Sequence, residues 1–263
     1  MSFGSQALAQ KTAEPTGTNA KKALPAKQKK IRFRPTRAQQ DKPRVRKARK
    51  GRTEDIRKIF AEAGLAYPPG QVLMRVFKNE DIVELWARPR RSQVFVHLKD
   101  YQICMRSGVM GPKRQRGDDQ VPEGFYHISA YNAWSSYLLS MLVSYPNRSD
   151  RLRKTSRDVG GSICIHGNCV TIGCVPLTDR WIEELYLICL DTAVHSGKRT
   201  LAHLFPGRLT GKGWEKLQKD FADKPALINF WKELKVGYDM FEESGKMPRM
   251  WFNKKGAYRF KAR

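Results

Sequence analysis

The chain has 263 residues, 50 Lys and Arg against 25 Asp and Glu, and a formal net charge of +25. Its apolar share of 40% excludes a wholly disordered polymer, and no apolar stretch approaches the roughly 18 residues of a membrane-spanning helix. Five cysteines are too sparse for a disulfide-stapled mini-fold, and the charge calls for an anionic partner without choosing among nucleic acid, membrane surface and wall polymer.

Residues 1–52 hold 16 Lys and Arg against Glu14 and Asp41, and their apolar residues show no period. The expectation is a disordered basic arm, because it buries too little to offset ordering. Its blocks Lys27 to Arg37 and Lys42 to Arg52 suit an anionic polymer, but read more simply as a solvated tail. Ala7-Leu8-Ala9 is like the end of an export signal, although no apolar core precedes it. Residues 53–69 are expected to form a short helix, Thr53 to Ala63, capped by Thr53 and stopped at Gly64, and then a linker.

Strand patterns follow at Val72 to Phe77, Ile82 to Ala87, Val94 to Cys104, Gly124 to Ala130, Tyr137 to Ser144 and Ser162 to His166. The break from Ser107 to Pro122 is rich in glycine and reads as a loop over a site. Thr178 to His195 predicts a helix with the stripe Ile182, Leu185, Tyr186, Cys189 and Ala193, ended by Gly197. After a strand at Thr200 to Phe205, helices are expected over Trp214 to Ala222 and Pro225 to Lys235. Their stripe of Trp214, Leu217, Phe221, Phe230, Trp231 and Leu234 reads as core. The division expected is thus a body over 70–207 and a small helical extension over 208–263. There is no internal repeat and no glycine-rich phosphate loop.

The chemistry concentrates in Ile163 to Pro176. A strand delivers His166, Gly167 begins a turn, and Gly173-Cys174 follows just before a helix. A thiol is a nucleophile at neutral pH only with a base or a lowered pKa, which a nearby imidazole supplies. Gly173 permits a tight turn in which its N–H and that of Cys174 point at an oxyanion. Cys174 is therefore the candidate nucleophile and His166 the candidate base. Two other readings stay open from the residues alone: Cys164, His166, Cys169 and Cys174 as a metal cluster, or as small core residues.

His166-Gly167 followed by Thr171-Ile172-Gly173-Cys174 resembles the signature of the YkuD-type L,D-transpeptidases, cysteine acyltransferases of peptidoglycan. Val121-Pro122-Glu123-Gly124-Phe125-Tyr126-His127-Ile128 is similar to the strand beside that family's active site. Gly111 to Asp118, Ile165 to Cys174 and Phe230 to Asp239 resemble the YafK-like branch, so the likeness covers about residues 70 to 250.

The resemblance implies an α+β fold: a mainly β catalytic sandwich, a helix after the nucleophile and a small helical C-terminal extension. It implies that Cys174, activated by His166, attacks the carbonyl at the L-centre of diaminopimelate in a stem peptide and forms a thioester. An amine then completes a transpeptidation, or water a hydrolysis. No metal or organic cofactor is needed, carbapenem-type β-lactams are expected to acylate the thiol, and the setting implied is the periplasm. The partners implied are peptidoglycan stem peptides and a peptidoglycan-linked lipoprotein, with the basic arm on anionic envelope polymers. The rival reading is a basic nucleic-acid-binding protein without catalysis.

The sequence departs from the better-known pattern at Thr171-Ile172, where Ser-His or Ser-Arg is common, and at Val175-Pro176, where an Arg usually follows the aliphatic residue. The missing Arg removes an expected carboxylate ligand, and the branch favours cleavage between diaminopimelate and a lipoprotein lysine. Lys113, Arg114, Arg116 and Arg148 are the candidate substrate cations, because an Arg fork grips a carboxylate in two places. Gly124 and Tyr126 join them from the motif strand. Cys104 and Cys169 both recur in the branch, as a disulfide or as two buried thiols. Cys164 and Cys189 are expected to be packing residues, and His97, His127, His195 and His203 are given no catalytic role.

Divided along the chain, the charge is +14 over residues 1–52, +4 over 53–207 and +7 over 208–263. The candidate catalytic region is thus only mildly basic.

Overall fold

The computed structural model describes residues 35–263. The export-signal resemblance and most of the basic arm lie outside the described residues. A short helix, α1 (Arg37–Gln40), leads into α2 (Pro43–Glu62), which has Pro at its first position. The helix expected to start at Thr53 therefore starts ten residues earlier, and Thr53 sits inside it with its hydroxyl donating to Arg49 O. Val45, Ala48, Ile56 and Phe60 are buried on one face at helical spacing. The arm's cations serve the same docking. Arg49 makes two 2.7 Å bonds to the Asp191 carboxylate, Arg52 reaches Glu183 at 3.0 Å, and Arg44 donates to the Ser135 and Leu138 carbonyls. Residues 43–52 are thus ordered by partners on other elements, which the arm's own composition does not reveal.

Strands β1 (Gln71–Phe77), β2 (Ile82–Arg88), β3 (Val96–Gln102), β4 (Gly124–Asn132), β5 (Ser140–Val143), β6 (Cys164–His166), β7 (Val175–Pro176) and β8 (Leu201–Phe205) form one sheet in the order β3-β2-β1-β8-β4-β5-β6-β7. β1 with β8 and β6 with β7 are parallel, and the other pairs are antiparallel. β4 joins the two halves: Gly124 to His127 pair with β8, whereas Ile128 to Asn132 pair with β5. A register shift between Ile128 and Ala130 marks the change of partner, where a bulge lets a strand bend. Between β5 and β6 lies the short helix α3 (Arg148–Leu152).

α4 (Asp179–Ser196) carries the predicted stripe, every member of it buried, and ends at Gly197 in the left-handed conformation. It packs with α2 and residues of both half-sheets in one core that includes Val76, Leu85, Met141 and Ile165. The opposite face of β1, β4 and β8 carries a second core, in which Phe77, Phe125 and Phe205 meet Leu217 of α5 (Gly211–Asp220) and Trp231, Leu234 and Tyr238 of α6 (Pro225–Ser244). The C-terminal extension is not wholly helical. β9 (Arg249–Phe252) and β10 (Tyr258–Lys261) form a hairpin whose Tyr258 joins that core, because alternating aromatics flank a turn through Gly256.

Glu123, fully buried just before β4, ties these layers. One carboxylate oxygen accepts from Lys78 Nζ at 2.9 Å and Gly111 N–H at 2.8 Å, and the other from Trp231 Nε1 at 2.7 Å.

Candidate active site

His166 ends β6, and Cys174 stands immediately before β7, whose Val175 and Pro176 lie beside Ile165 and His166. The loop between them is fixed at several points. The Gly167 N–H donates to Leu139 O at 3.2 Å, and a Cβ at Gly167 would lie 2.8 Å from both Asp179 Oδ1 and Ile182 Cγ2. Asn168 adopts φ 63° and donates its N–H to Asp179 Oδ1 at 2.9 Å, a turn role rather than contact with the imidazole. Cys169 forms a disulfide with Cys104 at the exit of β3. The pairing left open by the sequence is therefore a bond, and Cys169 is taken out of any metal cluster. Gly173 has φ 117°, and an added Cβ would stand 3.0 Å from Gln120 O.

The imidazole is buried. Its Nδ1–H donates to Gly167 O at 2.6 Å, which leaves Nε2 as the nitrogen for Cys174. The Cys174 sulfur accepts from the Cys164 N–H at 3.3 Å. Hydrogen bonding from the Cys164 thiol pushes the Cys174 thiol down to about 5, and the bond and charge of His166 add to this against the cost of burial. Burial pulls His166 down, but its bonds to Cys174 and Gly167 O and the nearby thiolate outweigh that and raise it above the ordinary 6.5. The two shifts together favour a thiolate–imidazolium pair.

Thr171 organises the backbone before the thiol. Its Oγ1 accepts from Cys174 N–H at 2.8 Å and Gly173 N–H at 3.2 Å, and donates to Cys174 O at 3.0 Å. The two N–H groups expected to receive an oxyanion do converge on one point, but the Thr171 hydroxyl holds that point. An incoming oxygen there has to displace it.

A pocket opens at Cys174, lined by Lys78, Asp81, Met105, Arg106, the turn over residues 107–110 and Val121. The glycine-rich loop thus contributes a wall, as its sequence suggests. The proposed substrate cations do not line it. Lys113 is buried and paired with Asp118, Arg114 reaches Asp150 at 3.3 Å and lies over the Phe230 ring, and Arg116 pairs with Asp158 at 2.5 Å. Arg148 is exposed on α3. Asp118 within the loop and Asp150 and Asp158 beyond it pair with the first three of these cations, which a count of basic residues does not register. Gly124 is spent on close packing, since a Cβ there would lie 2.1 Å from the Tyr258 hydroxyl, and Tyr126 is buried with its hydroxyl donating to Asp150 at 2.9 Å.

Three site residues escaped the sequence reading. Tyr137 stacks on His166, Thr171 holds the turn, and Cys164 meets the Cys174 sulfur rather than only packing. Cys164 had a signal: it precedes His166 by two residues on one strand, so both side chains leave the same face.

Comparison with known proteins shows the family: the chain belongs to the L,D-transpeptidases. It is 31% identical over 180 residues to "Putative L,D-transpeptidase YafK" of Escherichia coli K12, an alignment covering 67% of this chain and 69% of that one. The O157:H7 protein of the same name gives the same figures. No protein-family profile matches the chain. Solved structures similar to it include the helical cell shape determining protein Pgp2 of Campylobacter jejuni, at TM-score 0.44 and 17% identity over 75% of this chain and 80% of that one. Bd1075 of Bdellovibrio bacteriovorus gives 0.40 and 19% over 66% and 62%.

Proposed function

We propose that this chain is a cysteine acyltransferase of peptidoglycan stem peptides, with Cys174 as nucleophile and His166 as proton donor and acceptor. The observation that carries the reading is the Cys174 sulfur, held between His166 and Cys164 at the mouth of a pocket and pushed down to about 5. The thiolate attacks the stem-peptide carbonyl beside the L-centre of diaminopimelate. The tetrahedral oxyanion takes the place of the Thr171 hydroxyl at the Gly173 and Cys174 N–H groups. His166 gives its proton to the departing amine, so the C–N bond breaks, a thioester remains and the imidazole is neutral. That imidazole then takes a proton from water, or from an acceptor amine, which attacks the thioester and releases the thiolate.

Water is the favoured acceptor, giving hydrolysis, including release of a peptidoglycan-linked lipoprotein. Arg106, about half exposed and paired with Asp81, is the accessible pocket cation for a stem carboxylate. The Cys104–Cys169 disulfide supports an oxidising compartment, the periplasm. Among the described residues no helix is long and apolar enough to cross a membrane.

The test is digestion of purified sacculi and lipoprotein-bearing sacculi, with products resolved by mass. New muropeptides are expected with the wild type and none with Cys174→Ala. Identical profiles for the two proteins across water and several acceptor amines reject the reading.

A further inference from the structure

β6 brings two side chains to the nucleophile. Cys164 and His166 share a face of that strand, and the parallel pairing with β7 sets residue 174 alongside residue 164. The Cys164 N–H donates to Cys174 Sγ at 3.3 Å, and the Cys164 side chain stands beside the same sulfur, where it is the largest cause of the downward shift of Cys174. Both thiols converge on Ser162 O, the Cys164 S–H donating to it at 3.5 Å and that of Cys174 at 3.8 Å, so the two sulfurs flank one carbonyl. Both thiols are free, although Cys169 on the same loop is bridged to Cys104.

We infer that Cys164 is a positioning residue for acyl transfer: its N–H holds the Cys174 sulfur in place, and its S–H turns from Ser162 O to that sulfur when Cys174 carries negative charge. This rests on the reading of Cys174 as nucleophile and deepens it.

The chemistry asks for such a group at one step in particular. A half-buried thiolate has lost part of its hydration, and hydrogen-bond donors must replace it. Before attack, the His166 imidazolium supplies charge. During thioester breakdown His166 is accepting a proton from the attacking water while the C–S bond breaks and the sulfur leaves with the electron pair. Two donors that never lose their protons in the cycle then sit against the departing sulfur. The Cys164 thiol is suited to remain a donor, because its bond to Cys174 and its burial push it well above an ordinary cysteine. The charged groups facing this sulfur from the other walls are accounted for. Lys78 is paired with Glu123, Asp81 with Arg106, and His166 bonds to Gly167 O and the sulfur itself.

The test uses the full chain with Cys164→Ala and Cys164→Ser, both of which keep the backbone N–H. The rate of iodoacetamide alkylation at Cys174 is followed against pH, with the labelled cysteine located by peptide fragmentation. Thermal melts and an intact Cys104–Cys169 bond check that each variant is folded. Cys164→Ala is expected to move the alkylation midpoint upward by about one pH unit, about tenfold slower labelling below the midpoint, and Cys164→Ser to fall between it and the wild type. In the sacculus digestion, the same order is expected for turnover at low pH. Midpoints within about 0.3 units across all three proteins, or in Ser and wild type should Ala fail to fold, overturn the inference. A low wild-type midpoint with unchanged sacculi overturns the proposed substrate while leaving the role of Cys164 standing, so the two failures are distinct.

Discussion

Tyr137 lies flat on His166, with ring centroids 4.5 Å apart and planes inclined by 30°. The tyrosine is about two-fifths exposed, whereas the imidazole beneath it is buried, so the phenol ring roofs the imidazole. An aromatic face over an imidazolium favours its charged form by roughly 0.5–1 kcal/mol. Tyr137→Phe is expected to keep activity within about twofold. Tyr137→Ala is expected to lower the His166 midpoint and slow acylation several-fold. Acylation rates against pH for the three proteins check this.

The paired shifts fix the pH profile. In the proposed mechanism Cys174 acts as a thiolate, and it is pushed down to about 5, so the rate is expected to rise as pH climbs through about 5. In the same mechanism His166 carries the proton for the leaving amine, and it is raised above 6.5, so the rate is expected to fall only on the alkaline side of that value. A bell-shaped profile of acylation follows, with its plateau between these limits. Cys174→Ala leaves no profile, while alkylation of wild-type Cys174 reproduces the acid limb alone.

Gly173→Ala is expected to abolish acylation while leaving global stability nearly intact. The residue sits at φ 117°, and a methyl would press on Gln120 O at 3.0 Å, so the turn bearing both convergent N–H groups has to move. Measurement of acylation beside a melting curve separates the local loss from unfolding.

The cross-link between Cys104 and Cys169 closes a span of 65 residues. By loop-closure entropy its removal in a Cys104→Ser, Cys169→Ser double variant is expected to lower stability by up to roughly 4 kcal/mol. Because the bridge anchors the loop after His166, alkylation of Cys174 is expected to lose its low midpoint in the same variant. Denaturant unfolding and labelling rates report the two effects.

Arg49→Ala is expected to destabilise the protein by roughly 1–3 kcal/mol at neutral pH, the cost of removing hydrogen bonds to a charged group. Burial works against the Asp191 carboxylate, but its bonds to Arg49, Tyr67 and Gln40 outweigh that and hold it below the ordinary 3.8. A carboxylate lowered in the fold contributes stability above its unfolded value and loses it as pH falls through the folded one. The gap between wild type and variant is therefore expected to close below pH 3.8, as thermal melts across that range will tell.

Much of this was legible from residues alone. β1, β2, β4 and β8 begin and end within two residues or so of their patterns, and α4 announces itself by stripe and stop. The His-Gly and Gly-Cys steps lead straight to the thiol and imidazole. What sequence hides is the partner that comes from far away. α2 is held by four apolar residues set among cations whose acids stand on α4. The cations of the glycine-rich loop read as free because Asp150 and Asp158 lie beyond it in sequence. Tyr137 reads as a strand residue, and only the fold turns it onto His166. Cys164 could have been found by strand alternation, since its chemistry is that of the face it shares.

The Glu123 carboxylate gives the C-terminal region a part in the site. One buried acid accepts from Lys78 and Gly111, at the pocket and in the loop leading to it, and from Trp231 on α6. Trimming the chain after residue 207 would strip away the indole and leave half of that acid without its donor in the dry interior. The loop over the candidate site and the last helix are thus fastened by the same bolt, so what looks like an appendage in the linear chain braces a pocket residue, Lys78, from behind.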